Sequence, residues 1–410
     1  MKKNKFLRIF CAVFLSAVLL LGVVLGVVLG VAGSRTVMSY EGHRITSGVY
    51  SYFASTYKTS YIASLRGSGV SVTDTSDFWE SKNESGVSYG EAFEVSLREY
   101  VASILGANAV YASYARYTRE DKNAVRSSAE AVLRDRAGGS EKEFNRACEA
   151  YGFDYDDFLR ATELLYKANK LYGIVYGQDG SGIAGDTLYC NEYFEENYTR
   201  VKLLVIRTRN EIRKNEQGDA ALDEDGNVIY DAFSSAIAER QRDAVASYKA
   251  AIDALESGVG GKMNAEMFEY GLETYDGTLS KFRDTGHYFR TGEGYTDEFP
   301  EEEVVRTALA LSMNDYAYFP FYSTDGSGEK IEEGYCFLWR VPLEPSAYTN
   351  ITYDAMFESF YKGAADSFFG ELLSGCLENA KITKKMTDID PASIPYNTFY
   401  KVVLGGAGES

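Results

Sequence analysis

The residues able to do chemistry are few and widely spaced. There are two histidines, His43 and His287, too few to build a multi-histidine metal site. The five cysteines, Cys11, Cys148, Cys190, Cys336 and Cys376, contain no C-x-x-C pair, so neither a zinc site nor a dithiol redox site is signalled. Buried thiols that act as small apolar groups are the expectation, with a disulfide as the alternative. Cys336 falls in an expected strand with no histidine near it in sequence, a poor setting for a nucleophile. His287 has no paired carboxylate motif to make it a general base. Asp223-Glu-Asp-Gly226-Asn227 reads as a hairpin turn, because calcium ligands would have to alternate and end on a distant Glu. The glycine-rich stretch 177–185 lacks the Gly-Lys-Ser/Thr ending of a phosphate loop. No cofactor motif is present. Asp276, in Tyr275-Asp276-Gly277, is either a site carboxylate or a surface turn residue.

The elements that must position these groups follow from periodicity. Val37–Thr46 alternates around Glu41-Gly42 and reads as a hairpin feeding a helix capped by Thr46. Helices are expected over 89–117, 140–151 and 155–172, with Ser140 and Glu143 in a capping-box pattern. A short helix at 191–197 leads to a buried strand at 201–206. Helices at 233–256, 263–270 and 301–311 follow, then strands at 316–322 and 335–341. This order describes a small α+β domain with an antiparallel sheet. An amphipathic helix over 353–380, with Phe357, Phe360, Tyr361, Ala364, Phe368 and Leu372 on one face, needs a partner surface.

The chain has 410 residues, 45% of them apolar, enough for two or three domains with real cores. Its net charge is −18, which argues against binding nucleic acid. Residues 9–33 carry no charge and follow Lys2, Lys3, Lys5 and Arg8. That pattern predicts a single-pass transmembrane helix, with the N-terminus cytoplasmic and the body extracytoplasmic. A cleaved signal peptide is the rival reading. Gly22, Gly26 and Gly30 would line one face of that helix, so a homodimer through it is one expectation.

Three stretches resemble the SurA/PrsA-type foldases. They are Val37…Glu41-Gly42-His43-Arg44-Ile45-Thr46, then Ser140-Glu-Lys-Glu-Phe144 with Tyr151-Gly152-Phe153, then Tyr193-Phe194-Glu195-Glu196-Asn197. From about Arg200 to Glu344 the chain is similar to a parvulin (rotamase) domain. The matching segments are Asp284-Thr285-Gly286-His287-Tyr288, Asp297-Glu298-Phe299-Pro300-Glu301-Glu302 and Gly334-Tyr335-Cys336. The resemblance implies an α+β fold in four parts. These are a tip and transmembrane anchor (1–35), a mainly helical chaperone lobe (36–190), an inserted parvulin-like domain (191–345), and a returning C-terminal helix with a tail (346–410). It implies a membrane-anchored chaperone whose partners are unfolded exported polypeptides. The two family histidines fall at Leu203 and Cys336 and are absent, so peptidyl-prolyl cis-trans isomerase activity would be weak or lost. The resemblance offers Asp276 for the central acid, and Tyr288, Tyr295 and Phe299 for the substrate pocket. The 33 Tyr and 23 Phe would supply adaptable contact with clients. The alternatives are an active isomerase built on Asp276 and a non-catalytic envelope assembly scaffold.

Overall fold

A computed structural model describes residues 35–177, 180–257, 262–278, 280, 282–290, 302–324, 329–383, 387 and 390–395. The chain divides into two compact units, 1–185 with 361–410, and 186–360.

The first unit opens on a hairpin, β1 (Thr36–Tyr40) and β2 (His43–Thr46), turned by Glu41 and Gly42, both at positive φ. Six helices follow: α1 (Ser47–Gly67), α2 (Ser76–Glu80), α3 (Tyr89–Tyr114), α4 (Arg119–Ala137), α5 (Glu141–Cys148) and α6 (Tyr155–Tyr176). Thr46 stands at the N-cap of α1, but its hydroxyl donates to Asp157 instead of capping. At Ser140 half of the expected capping box forms, the hydroxyl accepting from Glu143 N–H. The reciprocal box is at Thr118 and Asp121, at the start of α4. Aromatic rings join α1 to α3, with Tyr57 stacked on Tyr100 at 5.0 Å and Phe53 edge-on to it at 6.0 Å. Burial of each such ring is worth about 1.5–3 kcal/mol.

The second unit runs α7 (Thr187–Asn197), β3 (Tyr198–Arg207), β4 (Asn210–Ile212), β5 (Tyr230–Ala232), α8 (Ser235–Ser257), α9 (Ala265–Thr274), β6 (His287–Arg290), α10 (Glu302–Ala310), β7 (Tyr316–Thr324) and β8 (Lys330–Val341). The antiparallel sheet has the order β6-β3-β8-β7. Strand alternation gives it two apolar faces. Leu204, Ile206 and Phe337 pack with Val245, Tyr248, Phe268 and Leu272 of α8 and α9. Val201, Leu203, Val205, Cys336 and Leu338 pack with Val304 and Ala308 of α10.

The chain returns to the first unit through α11 (Phe360–Asn379) and β9 (Lys381–Ile382). α11 starts later than the expected helix over 353–380. Residues 351–356 form a 3-10 turn, in which the Asn350 side chain accepts from Thr352 N–H. The expected apolar face is thereby divided. Phe357 and Phe360 belong to the second unit, and Ala364, Phe368 and Leu372 to the first. Gly106 lets α3 and α11 approach closely, since a Cβ there would lie 2.9 Å from Leu372 O. β9 pairs with β1 and completes a β2-β1-β9 sheet.

The expected transmembrane helix is corrected, and with it the single-pass cell-membrane placement. No described helix is long and apolar enough to cross a membrane. The described helices place their apolar residues against neighbouring elements and intersperse them with charge, so none offers a lipid-facing run. Residues 9–33, and the glycines suggested for a dimer, lie outside the described residues. Aromatic side chains also go elsewhere than expected. In the first unit the large apolar side chains found exposed among the described residues are Val87, Val95 and Ile174. Its tyrosines and phenylalanines largely form the interior.

Candidate functional site

The face of the second unit's sheet that carries Val201, Leu203 and Val205 also holds Cys336. Leu203 lies opposite Leu338, and Cys336 lies between Val205 and Phe319. All are buried in one apolar cluster. The two positions where the resemblance implies histidines are thus brought together, carrying apolar side chains. No disulfide forms among the four described cysteines, and all four are buried.

Asp276 reaches the same strand from its other edge. β6 pairs with β3 only from Tyr198 to Val201, so farther along β3 the backbone needs another partner. The 276–277 turn supplies it. Asp276 Oδ1 accepts from Val205 N–H at 3.1 Å, and Gly277 N–H donates to Val205 O at 2.6 Å. The Thr278 hydroxyl donates to Oδ2 at 2.6 Å. A Cβ at Gly277 would lie 2.9 Å from the Arg207 side chain, so glycine permits the approach. Burial raises the Asp276 pKa above the usual carboxylate range, against the opposing hydrogen bonds from Thr278 and Val205.

His287 stands on β6 opposite Val201, with 3% of its surface exposed. Its Nε2 is 3.4 Å from the Ser280 hydroxyl, and the ring contacts Phe282 and Phe289. Burial pushes its pKa down to about 4, so the ring is neutral at pH 7. Sequence reasoning did not join Ser280 to His287, and nothing in the spacing of the two marks a pair. Tyr288, the next residue, points to the other face. Its ring packs 5.1 Å from both Tyr353 and Phe357, and burial raises its pKa. It is therefore not gathered with Asp276 and Cys336. Tyr295 and Phe299 lie outside the described residues.

No family model matches this chain, and no curated protein matches it. A solved structure, the foldase protein PrsA from Lactococcus lactis, is similar over 86% of this chain and 96% of that one, with 11% identity and a TM-score of 0.18. A likeness at that level carries no argument about fold or activity.

Cys336 is buried among Val205, Phe319 and Leu338, where a thiol packs as a small apolar group. Among the described residues no group of three or more His, Cys, Asp or Glu could hold a metal. At the expected turn, Asp223 Oδ1 accepts from the N–H groups of Asp225 and Asn227, so the side chain closes its own loop. What remains is a wall of apolar side chains, with the Asp276 carboxyl and the His287–Ser280 pair both along the edge of β3 that faces away from β8.

Proposed function

We propose that this chain is a protein-folding factor that binds unfolded polypeptides and whose parvulin-like part has weak or no prolyl isomerase activity. In this reading 36–190 is a chaperone lobe completed by 346–410, and 191–345 is the parvulin-like insertion. The observation that carries it is the burial of Leu203 and Cys336 in one apolar cluster, where the resemblance implies two histidines. Prolyl isomerisation must lower a barrier of about 18–20 kcal/mol by weakening amide resonance. An apolar wall offers no imidazole at those positions. Apolar side chains left exposed on the second unit, among them Tyr270, Met313 and Ile351, would supply adaptable contact with clients.

The position of Asp276 favours a second reading, an isomerase that works without the histidines. Its carboxyl, with a raised pKa, is hydrogen-bonded to the backbone of Val205, which is paired with Cys336. One pair of assays on the full chain separates the readings. Suppression of aggregation of an unfolded protein, with no acceleration of isomerisation in a proline peptide, is the expected result. Acceleration that Asp276→Asn removes would replace it with the second reading. Neither activity would favour a non-catalytic scaffold.

A further inference from the structure

Lys58 is the one lysine among the described residues that is fully buried, with 1% of its surface exposed. Its ammonium has three donors and uses all of them. Nζ is 2.7 Å from Asp74 Oδ2, 2.8 Å from Pro391 O and 2.6 Å from Ile394 O. Asp74 is held in turn by Trp79 Nε1 at 2.7 Å, and the ammonium lies 5.5 Å from the Trp79 ring centre. Two of the three bonds thus go to main-chain carbonyls of a segment more than 300 residues away in sequence.

That segment is a self-contained plug. Asp390 accepts from Ala392 N–H and from the Ser393 hydroxyl, and Ile394 N–H donates to Pro391 O, closing one 3-10 turn. Its apolar side chains, Pro391 and Ile394, are buried, while Asp390 and Ser393 face solvent. The wall it meets is built without it. Thr75 caps α2, and Tyr61, Trp79 and Phe93 pack on one another at 5.4–6.3 Å. Gly90 keeps the wall low, since a Cβ there would lie 3.1 Å from Trp79 O and 3.7 Å from Pro391 Cγ.

We propose that Lys58, Asp74 and Trp79 form a peptide-binding socket that reads main-chain carbonyls. It is filled here by the chain's own Asp390–Ile394 turn, and it takes a peptide of the same chemistry when that turn leaves. The ligand is a proline followed three residues later by an aliphatic side chain, folded into one turn. Without an occupant, Lys58 keeps Asp74 but loses partners for two buried N–H donors, which is costly. A simple strut between helices has no such requirement for a pair of carbonyls presented in one turn. Main-chain recognition also makes the socket tolerant of the residues between the two anchors. Burial lowers the Lys58 pKa, against the opposing pull of Asp74 and Asp390. The inference goes beyond the reading of the second unit and holds whether or not that unit isomerises proline.

The test uses the full chain and a fluorescent peptide with the sequence of residues 387–396. Ile394→Asp expels the plug, and the variant should bind the peptide at least tenfold more tightly than the wild type, whose socket is filled. Adding Lys58→Met to Ile394→Asp should abolish that gain. Ile394→Ala, a milder change, serves if the aspartate variant fails to fold by circular dichroism. A folded plug variant that does not bind the peptide, or one that binds it equally well with Met at position 58, overturns the proposal.

Discussion

Protonation of His287 costs the fold. Burial holds its pKa at about 4, against 6.5 in an exposed chain. As pH falls below 6.5 the unfolded chain takes up the proton first, so stability is lost between 6.5 and about 4. The loss reaches about 3 kcal/mol at the lower end. Urea midpoints at pH 7 and pH 4.5 should therefore differ, and His287→Phe should flatten that part of the curve. An unchanged slope in the variant would place the acid sensitivity elsewhere. Asp276 acts in the opposite sense, because its raised pKa favours the fold at low pH and withdraws that support as pH rises. At this scale the sequence identified Asp276 as a carboxyl in a turn. Its partner, Val205 N–H, is 71 residues away and belongs to a strand edge that only the sheet order exposes.

Gly106 decides how closely two helices can pack. The backbone of α11 passes where its Cβ would stand, and Tyr114 and Phe368 meet at 5.4 Å farther along. Gly106→Ala would force the helices apart at a cost of about 1–3 kcal/mol, even though alanine is the better helix former. A thermal melt that shows no loss would mean that α11 slides to make room. Helices with a strong apolar period, such as α3 and α6, were legible in the sequence. α4 was not, because Val125, Ala129 and Leu133 are its only buried apolar residues in a charged surface. The hairpin turn at Asp223 was expected. Its neighbour at Asn215 repeats the same design, with Asn215 Oδ1 accepting from Gln217 and Asp219 N–H, but lacks flanking strand residues to announce it.

Each unit has its own interior. Two apolar clusters flank the sheet within 186–360, while the first unit is assembled from two stretches of chain. A chain ended after Phe360 should keep the second unit's β-sheet signal in circular dichroism. It should lose the first unit's cooperative unfolding transition, since α11, β9 and the turn on Lys58 would be missing. Two intact transitions would show that 36–185 is stable alone. The strands near 201–206, 316–322 and 335–341 and the three helices between them were legible because they have distinct apolar periods, but β6 (His287–Arg290), which enters between α9 and α10 and forms an edge of the sheet, was not expected. The aromatic count was read as contact surface, but among the described residues more than half of the tyrosines and phenylalanines are buried. Composition cannot tell a ring packed inside from one displayed outside.

The two-stretch build of the first unit has a consequence during synthesis. Residues 36–185 leave the ribosome first, but the helix that fills the groove at Gly106 comes only after the whole of 186–360. At about 5–20 residues per second that interval is on the order of 10–30 s. Throughout it β1 lacks its β9 partner and Lys58 lacks two of its three acceptors. The inserted unit can therefore finish folding while the unit that surrounds it in sequence is still waiting for its last wall.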